Sequence, residues 1–287
     1  MSSKTRGLMD IVWMYAVLAL VGWWVAEQVD GGLIWRAAAA DLVMTVAVFG
    51  FSLWKSNTST YDAYWSVIPS FLSVWLFFVC GGADWNWMQW GTMVVLNLWS
   101  WRLTHNWARG WPGWHHEDWR YVDFRNEQNP FLFQFTNFFG LHLFPTAIVF
   151  LACLGLFEVA TSTSFVPWLM LLGMIVGMVG VALEYFADNQ LAAFRCRPDP
   201  KPEDILQTGL WGVVRYPNYV GEMLFWWGIA LCGLGAGGSW VVVLGAAAME
   251  GLFVFASIPL KDKRMLSRRP GFAEYKERVS ALIPGLW

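Results

Sequence analysis

Charge is scarce in this chain. Asp, Glu, Lys and Arg make up only 14% of its 287 residues and nearly cancel, leaving a net charge of −2. So even a balance gives no reason to expect a nucleic-acid partner, which calls for a basic face. Cysteine is as thin, with four in all. Cys80, Cys153 and Cys232 lie inside apolar runs and Cys196 stands alone in a polar stretch, so neither a disulfide framework nor zinc spacing is on offer. Histidine also numbers four. The pair His115-His116, followed by Glu117-Asp118, points its rings in different directions and has no second pair at helical spacing. A solvated loop is expected there, and no metal. Gly233–Gly238 matches G-x-G-x-x-G, yet no strand precedes it and no acid follows to meet a ribose. A turn with close helix packing is expected, and no Rossmann domain. There is no internal repeat, low-complexity tract or second domain, so residues 1–287 read as one unit.

Apolar residues dominate instead, at 57%, with 18% aromatics and 22 Trp. Indole rings settle at the two interfaces of a bilayer. Runs at about 8–26, 33–54, 64–80, 86–104, 138–159, 165–187, 218–235 and 239–259 are long enough, or nearly so, to cross roughly 30 Å of hydrocarbon. The first has a basic leader (Lys4, Arg6) but no small-residue cleavage site, so it reads as a span. With the N-terminus inside, all of the 19 Lys and Arg except Arg36 and Arg102 fall in cytosolic segments. That asymmetry predicts an all-α, polytopic transmembrane bundle of seven to eight spans with its chemistry facing the cytoplasm.

Polar residues gather in three places. The largest is Glu184–Glu222, an island between apolar runs. Glu184 and Asp188 are four apart and share a helix face. Arg195, Arg197 and Arg215 offer charge-assisted contacts to phosphate. Pro217-Asn218 marks a helix start suited to anions, with Asn218 placed to cap it. Glu222 follows one turn later. Lys261, Lys263, Arg264, Arg268 and Arg269 add charge near the C-terminus.

The third run opens Thr60-Tyr61-Asp62-Ala63-Tyr64-Trp65-Ser66. Tyr64 backed by Asp62 is a candidate proton donor to a carbonyl oxygen in a dry pocket; a cap and an aromatic belt are the structural alternative. The fourth run ends with Asn97, Arg102, His105, Asn106 and Arg109 at three- and four-residue steps, so much of this set is expected on one helix face. Basic residues snorkelling to headgroups explain Arg102 and Arg109, but not Asn97 as well.

Glu184 to Arg195, then G-L-W-x-x-x-R-Y-P-N-Y-x-G-E (Gly209–Glu222) and A-L-I-P (Ala281–Pro284), resemble the steroid 5α-reductase family, in particular its bacterial homologues. The likeness is strongest over about 165–287. It implies a helical membrane enzyme, in a bacterial inner membrane, that reduces the C4–C5 double bond of 3-oxo-Δ4-steroids with NADPH. It places Asp188 and Arg195 on the cofactor and Asn218 and Glu222 at the nicotinamide end, with Glu184 standing where animal members have Asn. Arg215, Tyr216, Arg109 and Arg264 complete the expected cofactor set, and Tyr64, Asp62 and Glu222 the catalytic one. The Gln-Glu pair and the Tyr by which animal members engage the ketone align with Ser66-Val67 and near Trp99, and so are absent. Trp65, Asn97, Trp99 and His105 are the expected substrate contacts. The partners are an apolar, steroid-like substrate arriving from the lipid phase and the lipids themselves.

Two rivals remain. The isoprenylcysteine carboxyl methyltransferases share an R-x-P-x-Y-x-G-E element but bind S-adenosylmethionine; their paired tail acids are replaced here by Lys261-Asp262-Lys263-Arg264-Met265. A scaffold or channel is the non-enzymatic rival, and clustered acids and arginines on one side, with no polar stripe through every span, speak against it.

Overall fold

The computed structural model describes residues 2–199 and 201–286, and helices account for all of its regular structure apart from one isolated bridge between Ile283 and Leu286. The long elements are α1 (Ser3–Gln28), α2 (Leu33–Lys55), α3 (Tyr64–Val79) and α4 (Trp87–Gly110). A short α5 (Trp119–Glu127) follows, then a broken apolar rod: α6 (Pro130–Phe135), a π-helical stretch (Thr136–Leu143), α7 (Phe144–Ala152) and α8 (Leu154–Thr161). Next come α9 (Pro167–Arg195), α10 (Pro217–Gly235), α11 (Val241–Leu252), a π-turn (Phe253–Ser257), α12 (Ile258–Arg268) and α13 (Phe272–Arg278). Among the described residues six stretches, where seven to eight spans were expected, are long and apolar enough to cross a membrane: 3–28, 33–55, 58–79, 130–161, 167–195 and 241–268; α4 and α10 are not among them. The protein is an all-α helical bundle, as expected.

Backbone demands explain this choice. In hydrocarbon each N–H and C=O must find its partner inside the segment, and a helix does that by itself. The end caps follow the usual chemistry: Ser2 accepts from Thr5 N, and Asn86 with Gln89 closes a capping box on α4. Pro167 and Pro217 stand in first turns, where a missing N–H costs nothing.

One pair of helices sets the site. α9 and α10 pack backbone to backbone along a seam of glycines. A Cβ on Gly180 would stand 2.5 Å from the Gly221 carbonyl oxygen, and one on Gly228 would stand 2.4 Å from the Gly177 nitrogen. This approach lays the Glu184 side chain directly over Gly221, so the carboxyls of Glu184 and Glu222 share one space. Gly228→Val should therefore force the helices apart. Overpacking of this kind costs about 1–3 kcal/mol or more, to be read as a lower melting temperature in detergent; an unchanged melt would show that the seam yields freely.

The Gly233–Gly238 segment is the last turn of α10 and the turn that follows it, with Gly233 packed against Gly155 of α8. The polar loop at 111–118 docks on the turn at 57–60. Asn57 Nδ2 donates to the carbonyls of Trp114 and His116, and Glu117 accepts from Thr58 N and from Arg125.

Candidate functional site

Three acids meet one arginine inside the bundle. Arg102 of α4 reaches Glu184 at 2.5 Å and Asp188 at 2.7 Å, and lies 3.9 Å from Glu222. All four residues are buried. Asn106 donates to the same Asp188 oxygen at 2.9 Å, while Arg109 bridges Asn189 and Asn106, each at 2.8 Å. Glu222 accepts two indole N–H bonds, from Trp226 at 2.9 Å and Trp99 at 3.1 Å. The Trp99 ring lies flat against Phe225, centroids 4.4 Å apart, and seals the apolar side of the cluster.

Burying charge is tolerable only when it is paired and hydrogen-bonded. Here the pairing is incomplete. One guanidinium faces three carboxyls; Glu184 Oε2 has the Arg102 guanidinium at 2.5 Å but outside hydrogen-bond geometry, and the Asn218 side-chain oxygen is buried without a hydrogen bond among the described residues. Three carboxyls share one cation, and the Asn218 oxygen wants a donor. A carboxamide or amine group of a ligand is the chemistry that would complete the set.

The island Glu184–Glu222 thus divides in two. Glu184, Asp188 and Glu222 collect at the cluster, with Asn218 one turn before Glu222 on α10, but Arg215 and Tyr216 do not. Arg215 donates to the carbonyls of Lys276 and Val279 and pairs with Asp262 at 3.3 Å; Tyr216 donates to Asp262 at 2.6 Å, and Lys276 closes the group at 2.8 Å. Burial first, then the bond to Asp262, holds the Tyr216 phenol well above its usual range, so it stays a donor. Arg215 and Tyr216 strap the C-terminal segment to the start of α10. They are not free to meet a cofactor, which corrects the expectation from sequence.

Asn218 is corrected in a smaller way. Tyr216 occupies the cap position of α10 and no side chain caps the helix; Asn218 lies inside the first turn. Arg195 is exposed at the end of α9 and forms no ion pair among the described residues. Arg264 stacks on Trp119 at 4.0 Å and approaches Asp123 at 3.6 Å. Arg109, Arg195, Lys261 and Arg264 all belong to the end of the bundle where basic residues gather.

The polar set of α4 does not share one face. Arg102, Asn106 and Arg109 turn toward α9. Asn97 instead donates to Ser73 of α3 and to the Met93 carbonyl, at 3.0 and 2.8 Å, and His105 points outward, stacked on Trp101. Neither belongs to the cluster, whereas Trp99 does, and Trp65 packs on it with centroids 6.1 Å apart.

Tyr64 has a different acid from the one expected. Its hydroxyl donates to Asp41 of α2 at 2.9 Å, while Asp62 accepts from Tyr121 at 2.6 Å. Tyr64 and Asp62 are two residues apart across a helix start, so their side chains diverge. Asp62 pins α5 to the turn before α3. Asp41 lines a cavity of about 340 Å³ between α1, α2 and α3, with Trp23, Met44, Phe71 and Trp75 among its apolar walls. The first turn of α3 links the two sites, with Tyr64 reaching Asp41 and Trp65 touching Trp99.

Asp41 and Trp226 were absent from the sequence reading, and Arg102 and Asn106 were named in the polar set of the fourth run without a role in the site. An ionisable residue within an apolar run was the available signal for Asp41 and Arg102; Trp226 gave none among 22 indoles.

Comparison with known proteins sets these features in a family. The uncharacterized protein C594.04c of Schizosaccharomyces pombe is 26% identical over 278 residues, covering 86% of this chain and 78% of its own length. No solved structure matches the chain. Residues 48–279, which hold the whole acid cluster and Tyr64, match the family described as protein of unknown function DUF1295, and the chain belongs to it.

Proposed function

We propose that this protein reduces the carbon–carbon double bond of a 3-oxo-Δ4-steroid, or a similar apolar enone, with NADPH drawn from the cytosol. The observation that carries the reading is the buried cluster of Glu184, Asp188 and Glu222 around a single Arg102, with an unpartnered acceptor on Asn218. A nicotinamide carboxamide brings two N–H donors, one for the Asn218 oxygen and one for the carboxyl-rich cluster. The basic end of the bundle offers Arg195, Arg109, Lys261 and Arg264 to phosphates, as charge-assisted contacts.

NADPH supplies the hydride that adds to the β-carbon of the enone. The chain's own work is to hold the reactants together, keep water out and meet the charge that grows on the ketone oxygen. Trp99 and Phe225 wall the cluster on its apolar side. The lipid-like cavity beside Asp41 suits a flat, apolar body, and its one carboxyl is placed to donate to a ketone. Tyr64, through its bond to Oδ1, orients that carboxyl.

The test is binding. Purified protein in detergent should take up NADPH stoichiometrically, with quenching of tryptophan fluorescence, and oxidise it when an apolar enone is added. Uptake of S-adenosylmethionine in its place would move the reading to methyl transfer, and uptake of neither to a scaffold. Arg195→Ala should weaken NADPH about tenfold while leaving NADH nearly unchanged, the loss of one charged contact to the extra phosphate. Equal NADPH affinity in variant and parent would remove Arg195 from the site.

A further inference from the structure

Asp41 ends a hydrogen-bonded chain that runs through four buried hydroxyls. Tyr64 donates to Asp41 Oδ1 at 2.9 Å, and Thr45 donates to Tyr64 at 3.4 Å. Thr45 and Thr146 are 3.2 Å apart, and Thr146 and Tyr61 are 2.8 Å apart. A hydroxyl has one hydrogen, so each can donate once. Tyr64 gives its hydrogen to Asp41, and Thr45 gives its own to Tyr64. Thr146 must then donate to Thr45, and Tyr61 to Thr146. The whole chain is polarised toward Asp41.

Its two ends differ. At one, Asp41 faces the cavity with no Lys or Arg among its described contacts; the nearest candidate at that end, Arg36, is spent on Glu27 and the Ala26 carbonyl at 2.7 Å each. An unpaired carboxylate among apolar side chains is costly, and a proton on it removes that cost. At the other end, Tyr61 closes the turn at Thr58–Tyr61 beside the half-buried Asp62. The ring of His142, within the π-helical stretch, packs against it with centroids 4.9 Å apart. Its Nδ1 bonds the Asn137 carbonyl, which leaves Nε2 buried and unpartnered next to the chain's start.

We propose that Tyr61, Thr146, Thr45 and Tyr64 form a relay poised to pass a proton from the basic end of the bundle to Asp41. The inference rests on the reductase reading for its purpose. Reducing an enone adds one hydride to the β-carbon and one proton to the α-carbon, by way of the enolate oxygen. The Asp41 O–H breaks to supply that proton, and its electron pair stays on the carboxylate. The proton is then replaced in linked hops: Tyr64 to Asp41, Thr45 to Tyr64, Thr146 to Thr45, Tyr61 to Thr146, and water to Tyr61, leaving hydroxide to the solvent, after which each hydroxyl rotates to restore the chain.

The experiment has two arms. In the first, infrared spectra of the protein without nucleotide should contain the carbonyl stretch of a protonated carboxyl, absent in Asp41→Asn. On transfer to D₂O that band should shift quickly in the parent and in Thr146→Ser, and at least tenfold more slowly in Thr146→Val. Equal exchange rates in Thr146→Val and the parent, with both folded, would overturn the relay whatever the protein's activity. In the second, with NADPH and an enone, Thr146→Val should retain the rate of the first turnover but lose steady-state rate about tenfold, with a larger solvent isotope effect. A merely structural role would slow both phases alike and lower the melting temperature in both Thr146 variants. A parent that reduces no enone would sink the reductase reading and leave the exchange result standing.

Discussion

Replacing Arg102 with alanine should lower the melting temperature in detergent by on the order of 10 °C, the largest loss of stability expected from any single polar substitution in this chain. Arg102 is the cation shared by Glu184, Asp188 and Glu222, and all four side chains are at least nine-tenths buried. Removing one partner of a buried ion pair costs about 3–5 kcal/mol, because the other is left charged and unsolvated. Around Arg102 the stranded partner is a group of three. For a chain of this length each kcal/mol moves the midpoint by about 2–4 °C. Arg102→Lys should recover part of the loss, since an ammonium keeps the charge but has one point of contact where the guanidinium has two. A midpoint within about 2 °C of the parent for Arg102→Ala would mean that the acids take up protons readily, and that the arginine does not hold the site together.

That result would also bear on what sequence can reveal. The acids at 184, 188 and 222 were legible because ionisable residues are rare at the ends of apolar runs, and helical spacing put two of them on one face. Their arginine was not assigned to them, since nothing along the chain says that α4 packs beside α9. The glycine seam that fixes this geometry reads in sequence only as small residues in a span. Arg215 and Tyr216 misled for a related reason. Their motif sits at a helix start, where anions are welcomed, but the C-terminal segment folds back and takes their hydrogen bonds first. Asn97 and His105 share helical spacing with Arg102, yet one cross-links α3 and the other faces outward. Periodicity gives an angle around the axis, and it cannot say which neighbour stands at that angle. The spans themselves needed no such information, because a backbone in hydrocarbon has few other choices.

The substitution that separates the two readings of Tyr64 is Asp41→Asn, set against Asp62→Asn. From sequence, Asp62 is the acid nearest Tyr64. In the fold Asp41 takes its hydroxyl at 2.9 Å, while Asp62 is turned to Tyr121 at 2.6 Å. If the carboxyl beside the cavity donates the proton to the ketone, Asn at 41 keeps the size and an N–H donor but has no acidic proton to transfer. A positioned general acid is worth about 10²–10⁴-fold in rate, and turnover of an apolar enone should fall by that factor. On the proposed reading the nucleotide binds elsewhere, at the cluster on α4, α9 and α10, so its affinity should hold within about twofold, which marks a loss in the transition state alone. Asp62→Asn should loosen α5 and cost less than about tenfold in rate. Tyr64→Phe should follow Asp41→Asn in direction, because it removes the hydroxyl that orients Asp41. The reverse ranking, with Asp62→Asn the more damaging and Asp41→Asn near parental rate, would return the donor to the mouth of α3 and strip the cavity of its role.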